Sequence, residues 1–427
     1  MDRRRFLGTL AGNLVALPAG VWVSPLAGIE SARGQSTSAL ASLAPNTARN
    51  LGPYASAEVQ GVFIIDFSSI TYDRVAKRMC LFGGGHGPSQ ETDIRIFDLT
   101  TLQWSSLYPP TPRSQMNQAN ADSDLGRWVT TNQPFARHSY NMTLVSGRRF
   151  YMMQNTGMPD YLDGPQPAWG GRICWYDFDA GMWTYSRNSS AATPWYYANA
   201  AVLDPVSGKI LVLGLNAQAG AGAMWIFDPA TDSIATGPSL PDVGYSTDAV
   251  YFPPNDRLYL MYGDGRVWEI TYDRATPANS TVVPLAVTGT APSDTSTAGF
   301  AFDSVNNIIG GKVVNGTFYA FNPLSRAWSA VTMQTETPGV PNQAFHCLEF
   351  DADSGCFIFL SDWTTDTTWA YRYAGSAAAT SRNCRMRCNR AGIRWSPAGR
   401  RPRRWRRSRN PSATSRRSCP GRPSTAT

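Results

Sequence analysis

The stretch NAAVLDPVSGKILVLG, residues 199–214, consists of an apolar strand, a tight polar turn and a second apolar strand that ends in glycine. The same plan, in most copies with the glycine, recurs in FSSITYDRVAKRMCLFGGG (67–85), YNMTLVSGRRFYMM (140–153), DAVYFPPNDRLYLMYG (248–263), AGFAFDSVNNIIGGKV (298–313) and HCLEFDADSGCFIFLS (346–361). An aromatic third strand follows each pair, and often a fourth. Antiparallel sheets of this kind cannot bury both faces alone, so the repeat predicts sheets that stack around an axis.

The composition supports an all-β fold. The 427 residues include 37 Gly, 30 Pro and 12% aromatic residues, which suit many short strands joined by tight turns. Residues 54–375 are therefore predicted to form a single β-propeller. Six copies of the repeat predict six blades, with the segment Asn50–Val62 as the missing outer strand of the last one; a seven-bladed ring is the alternative.

Three features of the repeat have counterparts in a known family. A glycine pair ends the second strand, an aromatic residue and Asp end the third, and Trp lies in the fourth, most clearly in Gly83–Trp104. With these features residues 64–373 resemble kelch repeats, and GGGHG (83–87) and ARHSY (136–140) are similar to segments of exported bacterial proteins of the galactose-oxidase-like class. The resemblance implies a kelch-type β-propeller, a scaffold that hosts many functions.

The N-terminal residues resemble an export signal. Asp2-Arg3-Arg4-Arg5-Phe6-Leu7 is similar to a twin-arginine motif, and the apolar run from Phe6 to Val23 is too short and too weak for a stable membrane span. An ordinary basic N-terminus is the alternative. We predict a signal peptide at residues 1–35, a linker at 36–53, and a periplasmic or secreted mature protein without a membrane span.

The positive charge of the chain is concentrated at its end. Residues 376–427 contain 15 Arg and no Asp, Glu or Lys, whereas the rest has 23 basic and 31 acidic residues. The acidic body predicts no nucleic-acid partner. The tail cannot bury a core and is predicted to be a disordered extension, for which translation out of frame is one explanation. An Arg-rich nucleic-acid-binding arm is the alternative.

The cysteines of the body are expected to be structural. Cys80, Cys174, Cys347 and Cys356 each lie within an apolar, strand-like run. Their spacing leaves three disulfide pairings open, but buried reduced thiols fit the apolar surroundings better.

One rim of the predicted propeller carries the long connections. Residues 109–137 and 154–171 are longer than hairpins need, and they contain the aromatic residues Trp128 and Trp169. Tyr197 precedes the third repeat on the same rim. Such rings suit the apolar faces of sugars; the alternative is that they only fix the loops to the blades.

The histidines are predicted to meet at this rim. The glycine run of the first repeat brings His86 there, and His138 and His346 come early in first strands. Counting five residues back from the end of each first strand yields a largely polar set that would face the channel: Ser68, Tyr140, Asn199, Asp248, Ala298 and His346. Such a ring suits either a water-lined channel or a ligand site.

Three functions remain open from the sequence. The first is a monomeric binding module for a polar small molecule or glycan, without assigned catalytic residues. Its predicted ligand-binding residues are His86, Trp128, Arg137, His138, Tyr140, Trp169, Tyr197, Asn199, Asp248 and His346.

The second function is an enzyme with copper or another divalent metal bound by His86, His138 and His346. Resemblance to galactose oxidase implies two histidine and two tyrosine copper ligands with one Tyr–Cys crosslink, yet no Tyr-His dipeptide is present and no cysteine is clearly placed to crosslink Tyr140. Lyase or hydrolase chemistry with His138 as general base is a variant of this hypothesis. The third function is a scaffold that presents its rim to a partner protein.

Overall fold

The computed structural model describes residues 40–54, 67–83, 91–153, 171–189, 200–215, 222–241, 247–293, 299–361 and 367–375. Nearly all regular structure in these residues is β, in six sheets of four or five strands and one small three-stranded sheet. The all-β prediction is confirmed, and the arrangement is consistent with a propeller-like fold.

The strands follow one another along the chain in sheet order. The first, β1, covers Thr47–Pro53 and joins the last sheet. Sheet 1 contains β2 (Ile70–Asp73), β3 (Arg78–Phe82), β4 (Ile94–Asp98) and β5 (Gln103–Ser106). The small sheet contains β6 (Ala121–Asp122), β7 (Arg127–Trp128) and β8 (Gln133–Pro134). Sheet 2 contains β9 (Thr143–Ser146), β10 (Arg149–Met152), β11 (Cys174–Asp177) and β12 (Met182–Tyr185).

Sheets 3 and 4 repeat this antiparallel order. Sheet 3 contains β13 (Ala200–Asp204), β14 (Lys209–Leu215), β15 (Gly222–Asp228) and β16 (Ser233–Leu240). Sheet 4 contains β17 (Thr247–Phe252), β18 (Arg257–Tyr262), β19 (Val267–Thr271) and β20 (Thr281–Pro284). Short 3-10 helices cover Arg113–Gln115, Gln118–Asn120, Pro253–Asn255 and Pro277–Asn279.

Sheets 5 and 6 each have a fifth, parallel edge strand. Sheet 5 contains β21 (Thr288–Gly289), β22 (Phe300–Asp303), β23 (Ile308–Val314), β24 (Thr317–Asn322) and β25 (Ala327–Thr332). Sheet 6 contains β26 (Gln334–Thr335), β27 (Gln343–Asp351), β28 (Cys356–Ser361) and β29 (Thr367–Arg372), with β1 between β26 and β29. No helix in the ranges described above is long and apolar enough to cross a membrane.

The N-terminal strand corrects the predicted domain boundary. β1 pairs antiparallel with β29, with Ala48 opposite Tyr371, so the fourth strand of sheet 6 begins at residue 47 and overlaps the predicted segment Asn50–Val62 only at residues 50–53. Leu40 and Leu43 are buried in the core beside this sheet. Most of the segment predicted as a linker, residues 36–53, is therefore part of the folded body from residue 40 onward.

The core is divided into clusters between consecutive sheets. Each pair of consecutive sheets buries one hydrophobic cluster, and a further cluster with Leu81, Phe97 and Ile358 joins sheet 6 to sheet 1. The first strands are neighbours in the same order: β2, β9, β13, β17, β22 and β27 each contact the next, and β27 contacts β2. The first strand of each sheet therefore lies beside the first strands of two other sheets.

The cysteines lie in these clusters as predicted. Cys80 and Cys174 are buried reduced thiols between sheets 1 and 2, and Cys347 and Cys356 are buried between sheets 6 and 1. Burial raises the pKa of the Cys80 thiol to about 12 and that of the Cys174 thiol to about 11. Such thiols remain protonated and contribute packing rather than chemistry.

Most of the hairpins are stabilised by the same hydrogen bonds between a side chain and the backbone of the turn. Where a strand ends in Asp, as at Asp204, the carboxylate accepts hydrogen bonds from the backbone N–H groups two and three residues later. The fourth residue after it then has a left-handed backbone, as in Gly208 with φ 71°. The same pattern occurs at Asp73, Asp98, Asp177, Asp303, Asn322 and Asp351. Short Asx side chains stabilise such turns locally, so the repeat is encoded hairpin by hairpin.

The left-handed position of these turns predicts opposite effects of two substitutions. Gly208→Ala, where an added Cβ meets nothing within 4 Å, should lower the free energy of unfolding by about 1 kcal/mol through backbone strain alone. Arg326→Gly, at an exposed position with φ 54°, should raise it by about 0.5 kcal/mol, because relief of strain outweighs the greater freedom of the unfolded chain. Urea unfolding measures both changes.

Arg326→Ala is the matched control, since it removes the side chain but keeps the Cβ in the left-handed position. It should show no gain in stability. An equal gain from Arg326→Ala and Arg326→Gly would mean that the guanidinium, and not the backbone, is unfavourable there.

Candidate functional site

Three aromatic residues enter first strands with an unusual backbone. Phe67, Tyr140 and Phe345 have φ values of 51°, 43° and 44°. Each lies three residues before the point where the first strand of its sheet begins regular pairing, in sheets 1, 2 and 6 respectively. Bulky residues rarely adopt a left-handed conformation, and such strain is typically retained at functional sites.

The three rings lie together with two imidazoles. Phe67 is stacked on His138 with ring centroids 5.0 Å apart and contacts Phe345 at 4.8 Å. Tyr140 lies edge-on to His346 with centroids 6.0 Å apart. Phe67 and Phe345 are half-buried, whereas the other three are buried. We call these five residues the aromatic cluster.

Backbone bonds between sheets hold the aromatic cluster in place. The N–H of Tyr140 donates to Phe67 O at 2.6 Å, and the N–H of His346 donates to Ser68 O at 3.2 Å. Within the cluster, His138 Nδ1 lies 3.1 Å from the Tyr140 hydroxyl. The residues that converge are thus fixed by main-chain contacts between sheets 1, 2 and 6.

A single amide links three alternate sheets. Asn141 Nδ2 lies 2.9 Å from the carbonyl oxygen of Thr247 and 2.7 Å from His346 Nδ1. Asn141 precedes β9 of sheet 2, Thr247 begins β17 of sheet 4, and His346 lies in β27 of sheet 6. Because these sheets alternate with sheets 1, 3 and 5, the amide reaches across the central region. We call these three residues the Asn141 junction.

The strand pairing shifts two of the positions that were counted five residues back from the ends of the first strands. Ser146 pairs with Arg149 and Phe252 with Arg257, so the first strands of sheets 2 and 4 end one residue away from the positions used in the count. Five residues back from these ends lie Asn141 and Thr247, rather than Tyr140 and Asp248. The turn after Ser146 has only two residues and no Asp, which misaligned that copy of the repeat.

Asp248 has a role within the scaffold. Its carboxylate accepts hydrogen bonds from the backbone N–H groups of Phe300, at 2.6 Å, and Ala249, at 2.7 Å. Burial raises the pKa of Asp248 well above its usual value. Asp248 therefore ties β17 of sheet 4 to β22 of sheet 5 by satisfying an N–H group on the inner edge.

Trp128 and Arg137 hold the long connection of residues 109–137 in place. Only 2% of Trp128 is exposed, and its ring packs edge-on against Phe135 beside Met116. This burial favours the alternative that Trp128 fixes the loop to the sheets over the prediction that it stacks on a ligand. Arg137 is buried and donates to the carbonyl oxygens of Phe135 and Gly126.

Several predicted residues cannot be placed. His86, Trp169, Tyr197 and Asn199 lie outside the described residues. Within the described ranges, no three His, Cys, Asp or Glu side chains are close enough together to hold a metal ion. His138 and His346 are brought together through Tyr140, although His138 lies in the segment before β9 and not within that strand.

Sequence reasoning missed Phe67, Phe345 and Asn141. Aligning each repeat on the last paired residue of its first strand would have found them, because Phe67, Tyr140 and Phe345 then occupy one position and Ser68, Asn141 and His346 the next. The alignment on Asp alone did not show this correspondence.

Comparison with known proteins adds only distant structural likeness. No protein-family profile matches the chain, and no curated protein does. An auxiliary nutrient binding protein from Bacteroides thetaiotaomicron is similar with a TM-score of 0.43 and 12% identity, over 71% of this chain and 68% of that one. A protein of unknown function from the same organism is similar with a TM-score of 0.44 and 10% identity, over 77% and 75%. These values are too low to carry a functional argument.

The half-buried carboxylate of Glu349 in β27 predicts a pH dependence of stability. Burial raises the pKa of Glu349 to about 7 in the folded chain, against about 4.3 when unfolded. The folded state thus holds the proton more tightly, and this contribution, full at low pH, is lost as the pH rises toward 7. Glu349→Gln, which does not ionise, should therefore gain about 1 to 3 kcal/mol relative to the native chain between pH 5 and pH 8.

Urea unfolding at several pH values measures this difference. The variant keeps a carbonyl oxygen that can accept the backbone N–H group of Phe350, as Glu349 does. A difference between the two chains that stays constant from pH 5 to pH 8 would contradict the prediction.

Proposed function

We propose that the chain is a six-bladed kelch-type β-propeller that binds a polar ligand, a glycan above all, at the centre of its sheets. The proposed ring is supported by the contact of β27 with β2 and by the core cluster between sheets 6 and 1. The strand β1 adds the fourth antiparallel strand that the last repeat lacks. A central opening at the ends of the first strands is where a propeller of this kind would take its ligand.

The aromatic cluster is the observation that carries the proposal. Two half-buried rings, Phe67 and Phe345, offer apolar faces, and the Tyr140 hydroxyl and the two imidazoles add hydrogen-bonding groups. Sugars present this combination of apolar faces and hydroxyl edges. Convergent polar groups within aromatic walls are typical of small-molecule sites.

The strained backbone of the cluster supports a functional role. Three sheets each place an aromatic residue in a left-handed conformation at the same point of the repeat. Strain of this kind costs about 1 to 3 kcal/mol per residue and is retained where the resulting geometry is needed. Glycine would relieve the strain at each of the three positions. The presence of aromatic residues there instead indicates that their rings have a function.

Binding fits the cluster better than catalysis does. The Asp248 carboxylate, next to Thr247 of the Asn141 junction, accepts two backbone N–H groups and so contributes to the scaffold. The groups of the cluster itself are aromatic rings, a phenol and imidazoles, which can recognise a ligand without a cofactor.

Export through the twin-arginine route is part of the proposal, with residues 1–35 as the signal peptide and a monomeric protein in the periplasm or medium. It is supported by the Arg3-Arg4-Arg5-Phe6-Leu7 sequence. Replacing all three arginines by lysine keeps the charge but removes the guanidinium groups, and should leave the full chain in the cytoplasm of a bacterial host. Cell fractionation measures this; export that persists unchanged would contradict the route.

Removal of one hydroxyl tests the binding site. Tyr140→Phe keeps the ring contacts with Phe67 but loses the hydroxyl, and should weaken glycan binding about 10-fold, or about 1.4 kcal/mol. The measurement is calorimetric titration of the full chain with a panel of neutral and acidic oligosaccharides.

Tyr251→Phe is the matched control. The Tyr251 hydroxyl donates to Asp256 within the β17–β18 hairpin, and its loss should leave glycan affinity unchanged. Failure of every oligosaccharide in the panel to bind the native chain, or equal affinity of native chain and Tyr140→Phe, would contradict the proposed site.

A further inference from the structure

We infer that Asn141 holds His346 as a neutral imidazole with its proton on Nε2, so that His346 offers a hydrogen-bond donor and not a metal-binding nitrogen. Asn141 is thus a positioning residue for the ligand site. The part of the inference that concerns a ligand depends on the proposed function, whereas the protonation of His346 depends only on the Asn141 junction.

The carbonyl oxygen of Thr247 determines which way the Asn141 amide faces. A carbonyl oxygen can only accept a hydrogen bond, so the Asn141 atom 2.9 Å from it must be the NH2 nitrogen. The reversed amide would place two oxygens against each other. Asn141 and Thr247 are both buried, so the mismatch would not be relieved by bulk water.

The orientation of the amide in turn decides the tautomer of His346. The same NH2 nitrogen lies 2.7 Å from His346 Nδ1, and an amide nitrogen has only hydrogens to offer. His346 Nδ1 must therefore accept with its lone pair. A neutral imidazole has one donor and one acceptor nitrogen, which leaves the proton on Nε2.

The backbone of His346 is fixed independently of its ring. Its N–H donates to Ser68 O at 3.2 Å, and residues 69 and 346 form a parallel bridge between sheets 1 and 6. With the main chain held by sheet 1 and the ring held by Asn141 of sheet 2, the direction of Nε2 is set by the scaffold.

The inferred tautomer argues against the predicted metal role of His346. A histidine ligand coordinates through one bare nitrogen while the other donates its N–H to an acceptor. Here the lone pair of Nδ1 is used by Asn141. Coordination through Nε2 would move the proton to Nδ1, where it would face the hydrogens of the amide.

The same arrangement narrows the class of ligand. A protonated Nε2 recognises an acceptor oxygen, such as a hydroxyl, a carbonyl or a carboxylate. A ligand that presents an ammonium group to this ring is disfavoured, because two donors would meet. With the Tyr140 ring edge-on to His346, the acceptor oxygen would lie beside an aromatic ring, as in a bound sugar.

Nitrogen NMR of the imidazoles tests the inference on the native full chain. The sequence contains only three histidines, so ¹⁵N-histidine labelling yields few signals, which His86→Gln, His138→Gln and His346→Gln assign. At pH 7, His346 is expected to show a protonated Nε2 and a bare Nδ1. The opposite tautomer or a doubly protonated ring would overturn the inference.

Asn141→Asp reverses the hydrogen-bonding character at the junction without changing its shape. A carboxylate can only accept, so His346 Nδ1 should become protonated in this variant, with a shift of its ¹⁵N signal toward that of an N–H nitrogen. Asn132→Asp is the matched control, because Asn132 Nδ2 also donates to a carbonyl oxygen, that of Trp183, at 2.9 Å. It should leave the His346 signals unchanged.

A folded Asn141→Asp variant with unchanged His346 signals would contradict the positioning role. If that variant does not fold, the tautomer in the native chain decides alone. Titration of the native chain with Zn²⁺ should leave the His346 signals in place, and their loss at stoichiometric metal would overturn the inference. The oligosaccharide titration is a separate measurement, so the glycan proposal can fail while the tautomer stands.

Discussion

Each four-stranded sheet of this protein has two apolar faces, and only the neighbouring sheets bury them. The core is accordingly divided into clusters between consecutive sheets, including one between the last sheet and the first. Burial of apolar surface contributes about 25 cal/mol per Å² and is the dominant favourable term in folding. The other features of the molecule depend on this face-to-face packing, because it brings the first strands of consecutive sheets next to one another.

An inner edge has a chemical requirement of its own. The first strand of each sheet pairs with only one strand in its own sheet, so the backbone groups on its other side need partners near the centre. Some of these backbone groups bond to the neighbouring first strand, as the His346 N–H does to Ser68 O. Others bond to a side chain, as the Phe300 N–H does to the Asp248 carboxylate. Polar side chains at the centre are therefore partly a consequence of the architecture, and polarity alone does not identify a ligand site.

The aromatic cluster differs from that structural background. Phe67 and Phe345 provide no hydrogen bond to an inner edge from their side chains, yet their backbone is strained and their rings are half-buried. The Asn141 junction also exceeds what the edges require, since one amide contacts sheets 4 and 6 from sheet 2 and sets the direction of an imidazole. These two features, and not the number of polar residues, support the proposed ligand site.

The sequence by itself determined the strands, their hairpins and the sheet order. Those features follow from local signals: alternating apolar residues, a terminal Asp that accepts hydrogen bonds from the backbone N–H groups two and three residues later, and a left-handed residue four positions on. Where the local signal was absent, as in the two-residue turn after Ser146, the register was misjudged by one residue, and Tyr140 took the place of Asn141. The burial of Trp128 and the participation of residues 47–53 in sheet 6 depend on partners far away in the chain. The contact of Asn141 with His346 is of the same kind, since the two residues are 205 positions apart in the chain. These three features could be found only in the tertiary structure, because a contact between distant segments leaves no periodic pattern in the sequence.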